Sequence, residues 1–291
     1  MCGRYAASKD QAEIIEELDV ELDATGRPSR SVLVHPQVPP AGTPDWNMAP
    51  SKQAPVVLTR AVRGTEKEGL EGAGATGIPE GEAVRQLRLL TWGLVPSWAK
   101  DPKTGFRMIN ARAESVLEKP GYARAAKARR CLVPADGWFE WQVSPTAVDA
   151  KGKPRKQPFF THRVDGDVVA FAGLYEFWRD REVADPDDPQ AWLTTFTIIT
   201  TAAEPGLDRI HDRQPLVLER EDWAAWLDPA VTDPDTVAAL LAFEQPGRFD
   251  AYPVSPAVNS TRNNGEQLLL PLPESELHGV VDLVTGEVIG S

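Results

Sequence analysis

Val168-Val169-Ala170-Phe171-Ala172-Gly173-Leu174-Tyr175 carries no charge and is rich in β-branched and aromatic residues, which is the composition of a strand. Thr194-Thr195-Phe196-Thr197-Ile198-Ile199-Thr200 has the same character, and Cys131 to Pro134 and Phe159 to Arg163 share it. Pro55 to Leu58 and Leu87 to Trp92 read as two earlier strands. Val280 to Ile289, turning near Thr285-Gly286, reads as a terminal hairpin. Helical spacing is confined to Lys9 to Leu18, where Ile14, Ile15 and Leu18 share a side, and to Arg220 to Leu227 and Pro234 to Phe243. Strands dispersed along the chain with few helices predict an α+β fold. It would be a single domain built on a strongly bent, mostly antiparallel β-sheet or barrel, with a few peripheral helices.

Around these segments, Arg27 to Pro44 is rich in Pro and Gly and reads as loop. Gly64 to Gly81, rich in Gly and Glu, reads as a mobile insertion. Val143 to Lys156 reads as a polar loop that extends a hairpin. The domain is expected to cover residues 2–270, with insertions near 62–86, 143–157 and 180–191 and a C-terminal extension over 271–291.

At 291 residues and 42% hydrophobic, with nine tryptophans, the chain has enough apolar mass for a sizeable core. No apolar run approaches a membrane span and the first residues lack a signal-peptide core, so a cytoplasmic protein that does not enter a membrane is expected. The two cysteines, Cys2 and Cys131, form neither a disulfide framework nor metal-ligand spacing. A net charge of −12 argues against broad attraction to nucleic acid. Arg107 to Arg130 is nonetheless locally basic, with Arg107, Arg112, Lys119, Arg124, Lys127, Arg129 and Arg130 against Glu114 and Glu118. No phosphate-binding glycine loop, nucleophile elbow or zinc signature is present, and neither cofactor nor metal is expected.

The chain starts Met1-Cys2-Gly3-Arg4-Tyr5. Removal of Met1 would leave Cys2 with a free α-amine and a thiol on adjacent carbons. An α-amine has a pKa near 8, so roughly a quarter is neutral at physiological pH, against roughly a thousandth of a lysine. The neutral amine attacks an aldehyde to give an imine, and the thiol then closes a five-membered thiazolidine ring. Such a terminus suits covalent capture of an aldehyde.

Other stretches dense in turn, aromatic and ionisable residues follow in order: Asn47-Met48-Ala49-Pro50, Thr91-Trp92-Gly93-Leu94-Val95-Pro96-Ser97-Trp98, Ile109-Asn110-Ala111-Arg112-Ala113-Glu114, Ala135-Asp136-Gly137-Trp138-Phe139-Glu140-Trp141, Ile210-His211-Asp212-Arg213-Gln214-Pro215, and Pro253-Val254-Ser255 with Val258-Asn259 and Arg262-Asn263. Together with Met-Cys-Gly-Arg at the start, they resemble the SRAP family, the SOS response-associated peptidase-like proteins that crosslink to abasic DNA. The resemblance spans roughly Cys2 to Gln267.

The resemblance implies a DNA-damage protein that binds abasic sites in single-stranded DNA. It would form a thiazolidine through the Cys2 amine and thiol, shielding the lesion, and would join the nucleoid when acting on DNA. A monomer is expected, with possible abasic-site lyase and autopeptidase activity. By the same resemblance Asn110 lies beside Cys2 and the sugar remnant, Glu140 steers protonation of the Cys2 amine, and His211 gives a proton to the deoxyribose oxygen. Each has a plain alternative. Asn110 is a turn former, Glu140 a buried ion-pair carboxylate, and His211 a structural histidine.

Arg112, two residues after Asn110 and on the same face if the segment is a strand, suits a phosphate or an ion pair with Glu114. Arg4 and Arg213 are further phosphate candidates. Trp92 and Trp141 are expected to stack on bases, ahead of Trp98 and Trp138, and Asn47 and Pro50 to line the same groove. Family members commonly carry Met where Gln214 stands. Two other functions fit the same residues. One is an N-terminal-nucleophile cysteine peptidase using Cys2, Glu140 and His211. The other is a non-catalytic single-stranded DNA binding module.

Overall fold

In the computed structural model, which describes residues 2–27, 30–62, 78–79, 81–185, 187–242 and 246–290, the uncharged run around Phe171 becomes a strand covered on both faces. The strands in chain order are β1 (Tyr5–Ala7), β2 (Leu22–Asp23), β3 (Asp45–Met48), β4 (Gln53–Ala61), β5 (Ala83–Trp92), β6 (Asn110–Arg112), β7 (Arg130–Ala135), β8 (Gly137–Val148), β9 (Pro154–Arg163), β10 (Val169–Arg179), β11 (Trp192–Ala202), β12 (Arg213–Pro215), β13 (Phe249–Pro253), β14 (Val280–Val281) and β15 (Val288–Ile289). The α-helices are α1 (Gln11–Glu17), α2 (Ala123–Ala128), α3 (Arg220–Leu227) and α4 (Pro234–Leu241).

β5, β4, β7, β10 and β11 pair in that order, and a parallel pairing of β11 with β5 (Thr195 opposite Thr91, Phe196 opposite Trp92) closes the ring. The other ring pairings are antiparallel. On β10 the two-residue period sends Val169, Phe171 and Tyr175 into one core cluster, with Trp92, Phe196 and Ile198. Ala170, Ala172 and Leu174 point the other way, into a second cluster shared with α1, α2, α3 and α4. A strand buried on both sides has no polar face to show, which explains the unbroken apolar run.

A second sheet, in the order β13-β9-β8-β1-β3, packs Trp138 and Tyr5 onto the ring's core. Tyr5 lies edge-on to Phe171, with ring centroids 5.7 Å apart. The barrel-type α+β architecture agrees with the sequence, as do α1, α3 and the terminal hairpin. The polar stretch after Val143 does extend a hairpin. β8 runs to Val148 and β9 starts at Pro154, and Asp149 closes the turn by accepting from the backbone of Lys151 and Lys153. The expected insertion over Gly64 to Gly81 lies outside the described residues except at positions 78, 79 and 81, and Phe243 lies outside them too.

The basic stretch holds an unpredicted helix, α2. Part of its charge serves the interior: buried Arg130 donates to the carbonyls of Ala126, Lys127, Trp226 and Asp228, satisfying the C-terminal turns of α2 and α3. Arg129 pairs with Glu176 at 2.6 Å. Arg107, Arg112, Lys119, Arg124 and Lys127 remain exposed.

Candidate active site

The start of the chain is held inside the second sheet. Tyr5 pairs with Met48 on one side and Trp138 on the other, and the Phe139 amide donates to the Arg4 carbonyl at 2.9 Å. That register buries Cys2 completely and sets Glu140, also buried, on the strand next to it. The Asn110 amide donates to the Cys2 carbonyl at 2.7 Å. Asn110 opens β6, which runs parallel to β11, and because Ala111 is buried, Asn110 and Arg112 share the opposite side. Among the described residues the buried Asn110 Oδ1 has no hydrogen-bond partner, so an acceptor stands unused beside the Cys2 carbonyl.

The charges form one coupled set. Burial pushes the Cys2 thiol well above its ordinary value, and the negative charge of Glu140 adds to the effect. Burial raises the Glu140 carboxyl to about 7, against the pull of the positive amino terminus. Burial lowers His211, and the same terminal charge lowers it further while Asp212 opposes. The positive charge that acts on all three groups is the ammonium of Met1, which removal of that residue would pass to Cys2.

His211 Nδ1 lies 3.0 Å from the Arg213 amide and 2.9 Å from Asp212 Oδ1. The first contact needs a bare Nδ1 and the second a protonated one. The neutral ring accepts from the amide and carries its proton on Nε2, whereas the charged ring donates to Asp212. The lowered pKa selects the neutral ring near pH 7. A 31% exposed side chain makes His211 the site's open flank.

The expected DNA contacts divide. Arg4 turns inward: its Nη1 donates to Asn47 Oδ1 and to the Val258 carbonyl, both at 2.7 Å. Asn47 is wholly buried, and its Nδ2 donates to the carbonyls of Val258, Ser260 and Asn263. Trp141 is half-buried and donates from Nε1 to Asn259 Oδ1 at 2.7 Å. These motif residues knit the late loop onto the chain start. Pro50, next to them, is half-buried. Arg213 is engaged by both Glu114 oxygens, at 2.5 and 3.0 Å, and by the Thr200 carbonyl. Arg112 is exposed, and among the described residues no hydrogen bond or ion pair holds it. Gln214 is buried and accepts from the Glu204 amide at 2.8 Å, so a polar pair occupies that position.

Trp92 does not reach a surface. It is 1% exposed, donates to the Ile109 carbonyl and stacks on Phe196 where the ring closes. Trp138 is equally buried. Trp98, at 65% exposure, and Phe106, at 53%, are the open aromatics beside Lys100, Lys103 and Arg107. They are held out by a close backbone crossing: a Cβ on Gly105 would lie 2.5 Å from the Gly93 carbonyl oxygen, and Gly93 itself has φ +128°. Trp98 lies past the end of β5 and beyond Pro96, a loop signal that favours it over Trp92 for exposure. Among the described residues no group of three His, Cys, Asp or Glu is placed to hold a metal, and no helix is long and apolar enough to cross a membrane.

A buried cysteine at position 2, its carbonyl held by the Asn110 amide and a buried carboxyl beside it, on a barrel-type α+β scaffold, defines a class. The model of the SOS response associated peptidase (SRAP) family matches residues 1–261, and the chain belongs to that family. Among its relatives, the abasic site processing protein YoqW of Bacillus subtilis is 35% identical over 271 residues, covering 92% of this chain and 99% of that protein. The abasic site processing protein HMCES of Mus musculus is 30% identical, covering 93% of this chain and 76% of that one. A solved protein from Bacteroides thetaiotaomicron shares the fold, with a TM-score of 0.64 at 21% identity over 94% of this chain and all of that one.

Proposed function

We propose that this protein captures abasic sites in single-stranded DNA as a thiazolidine on Cys2, once Met1 is removed. The observation that carries the reading is the convergence of Asn110, Glu140 and His211 on the chain start, beside a thiol held protonated. Relatives named as abasic site processing proteins support the same substrate.

His211, with its proton on Nε2, would donate to the deoxyribose ring oxygen as the sugar opens to its aldehyde. Glu140, titrating near neutrality, would take a proton from the Cys2 ammonium so that the amine can attack. The carbinolamine loses one water to give the imine. The Cys2 S–H then adds across the C=N bond, with sulfur bonding to the former carbonyl carbon and the proton going to nitrogen. Asn110 fixes the Cys2 carbonyl and so the direction of the amine. Arg112, exposed beside Asn110, would meet the backbone phosphate, and Trp98 with Phe106 offers bases a flat surface. An imine left without its thiol promotes β-elimination, which would appear as lyase activity.

The raised thiol speaks against the peptidase reading, because a cysteine protease works through a thiolate whose pKa is lowered. Intact mass spectrometry after incubation with an abasic single-stranded oligonucleotide tests the proposal. Processed wild type should gain the oligonucleotide mass less one water in a heat-stable adduct, and Cys2→Ala should bind DNA without it. Absence of that adduct from protein shown to lack Met1 would falsify the proposal.

A further inference from the structure

We infer that Gln142 and the C-terminal hairpin β14–β15 form a brace that sets Glu140 against His211, which makes Gln142 and Arg209 positioning residues. The inference rests on the function proposed above. Glu140 and Gln142 are two apart on β8 and therefore face the same way. Gln142 is 2% exposed; its Nε2 donates to the carbonyls of Arg209 at 3.2 Å and Val281 at 2.9 Å, and its Oε1 accepts from the Val281 amide at 2.7 Å.

Arg209 ends the 3-10 turn Leu207–Arg209, and the His211 amide bonds back to the Leu207 carbonyl at 3.2 Å, so His211 moves with that turn. The Arg209 side chain, on the exposed side, donates to the hairpin carbonyls of Asp282 at 3.3 Å and Leu283 at 2.7 Å. One amide thus ties the strand that carries Glu140 to the turn that carries His211, and the hairpin grips both.

The hairpin lies where β8 loses its regular partner. The β8–β9 register breaks between Val143 and Val148. Gly279 sits against that break with φ +65°, and a Cβ there would come within 2.4 Å of the Ser144 hydroxyl. Leu277 and Val280 enter the core cluster that also contains Cys2, Leu207 and Ile210. The family match ends at residue 261, so Gln142 and Arg209 lie inside it and the hairpin they bind lies beyond it. Apolar packing alone would tolerate sliding between strand and turn, whereas three directional bonds on one buried amide hold them in register. Proton transfer demands such register, since a shift of about 1 Å costs up to about 100-fold in rate.

Gln142→Met and Arg209→Ala test the brace, the second being an exposed change that leaves the core intact. Val284→Ala at the hairpin tip, 87% exposed, is the control. The readouts are the first-order adduct rate at saturating abasic oligonucleotide, the Kd for an oligonucleotide carrying a non-reactive tetrahydrofuran analogue, and the His211 ring signal in a 13C-histidine spectrum. Both variants should slow the adduct step about 10- to 100-fold while Kd stays within about twofold, and both should displace the His211 signal. Unchanged rates and an unchanged His211 signal in both variants overturn the brace. If wild type forms no adduct, the proposed function fails and the His211 signal decides alone: displacement sustains the brace, and no displacement sinks it.

Discussion

Glu140→Gln should make the protein more stable above neutral pH while stopping its reaction. Burial moves the Glu140 carboxyl from 4.5 to about 7. Between those values the folded chain binds a proton that the unfolded chain has released. Stability therefore falls as pH rises through that window and levels off above it. A decade of proton affinity is worth about 1.4 kcal/mol, so the gap sets a ceiling of about 3 kcal/mol on what the ionised carboxylate costs at pH 8. The ammonium of Met1 is included in that position and works the other way. A glutamine has the shape of the protonated acid and pays none of this cost.

Urea denaturation of wild type and Glu140→Gln, with identical N-terminal processing, should give overlapping stabilities near pH 4. At pH 8 the variant should lead by about 1–3 kcal/mol, a melting shift of about 2–6 °C in a domain of this size. The adduct rate should meanwhile fall by about 100-fold or more. A variant less stable than wild type at pH 8, or two curves parallel across the range, would refute the reasoning. Either result would make Glu140 an ion-pair partner that holds the chain start in place.

Asn110→Ala removes the 2.7 Å bond to the Cys2 carbonyl; it should slow adduct formation about 10- to 100-fold at saturating DNA and leave Kd unchanged. Trp98→Ala should weaken single-stranded DNA binding by about 1–3 kcal/mol with stability unchanged, whereas Trp92→Ala should cost about 3–5 kcal/mol of stability; fluorescence anisotropy and urea melts separate the two. Arg112→Gln should lower the slope of log K against log salt by about 0.7. Arg213→Gln, which loses its Glu114 fork and the Thr200 carbonyl, should lower stability as well.

The barrel was legible because its signal is local. Phe171 and its neighbours, Phe196 with Ile198, and Val133 are apolar by period or by run, and such residues have few alternatives to a buried strand. Ring closure was not legible. It depends on Phe196 meeting Trp92 across a parallel pairing, and no short window contains both. Asn110 with Arg112 was foreseen because a strand fixes which residues share a face. The destination of the arginines was hidden, since a guanidinium reads the same in sequence whether it meets a phosphate or a carbonyl. Arg130 spends itself on the ends of α2 and α3, Arg4 on Asn47 and the Val258 carbonyl, and Arg213 on Glu114.

The motifs themselves therefore mix two kinds of constraint. Asn47 and Trp92 hold the chain start and the ring seam, and their side chains are fully used in doing so. A motif records which residue types stand together but not how much solvent each one sees. Trp92 and Trp98 share one run and differ from 1% to 65% in exposure because one ends a ring strand and the other lies past Gly93 and Pro96. Gln142 is the converse case. It lies between the aromatic run that ends at Trp141 and the polar stretch that begins at Val143, in neither, and its value comes from Val281, far along the chain and outside the family match. Contacts of that kind have no local signature, so the tie emerges only when the strand and the hairpin are seen together.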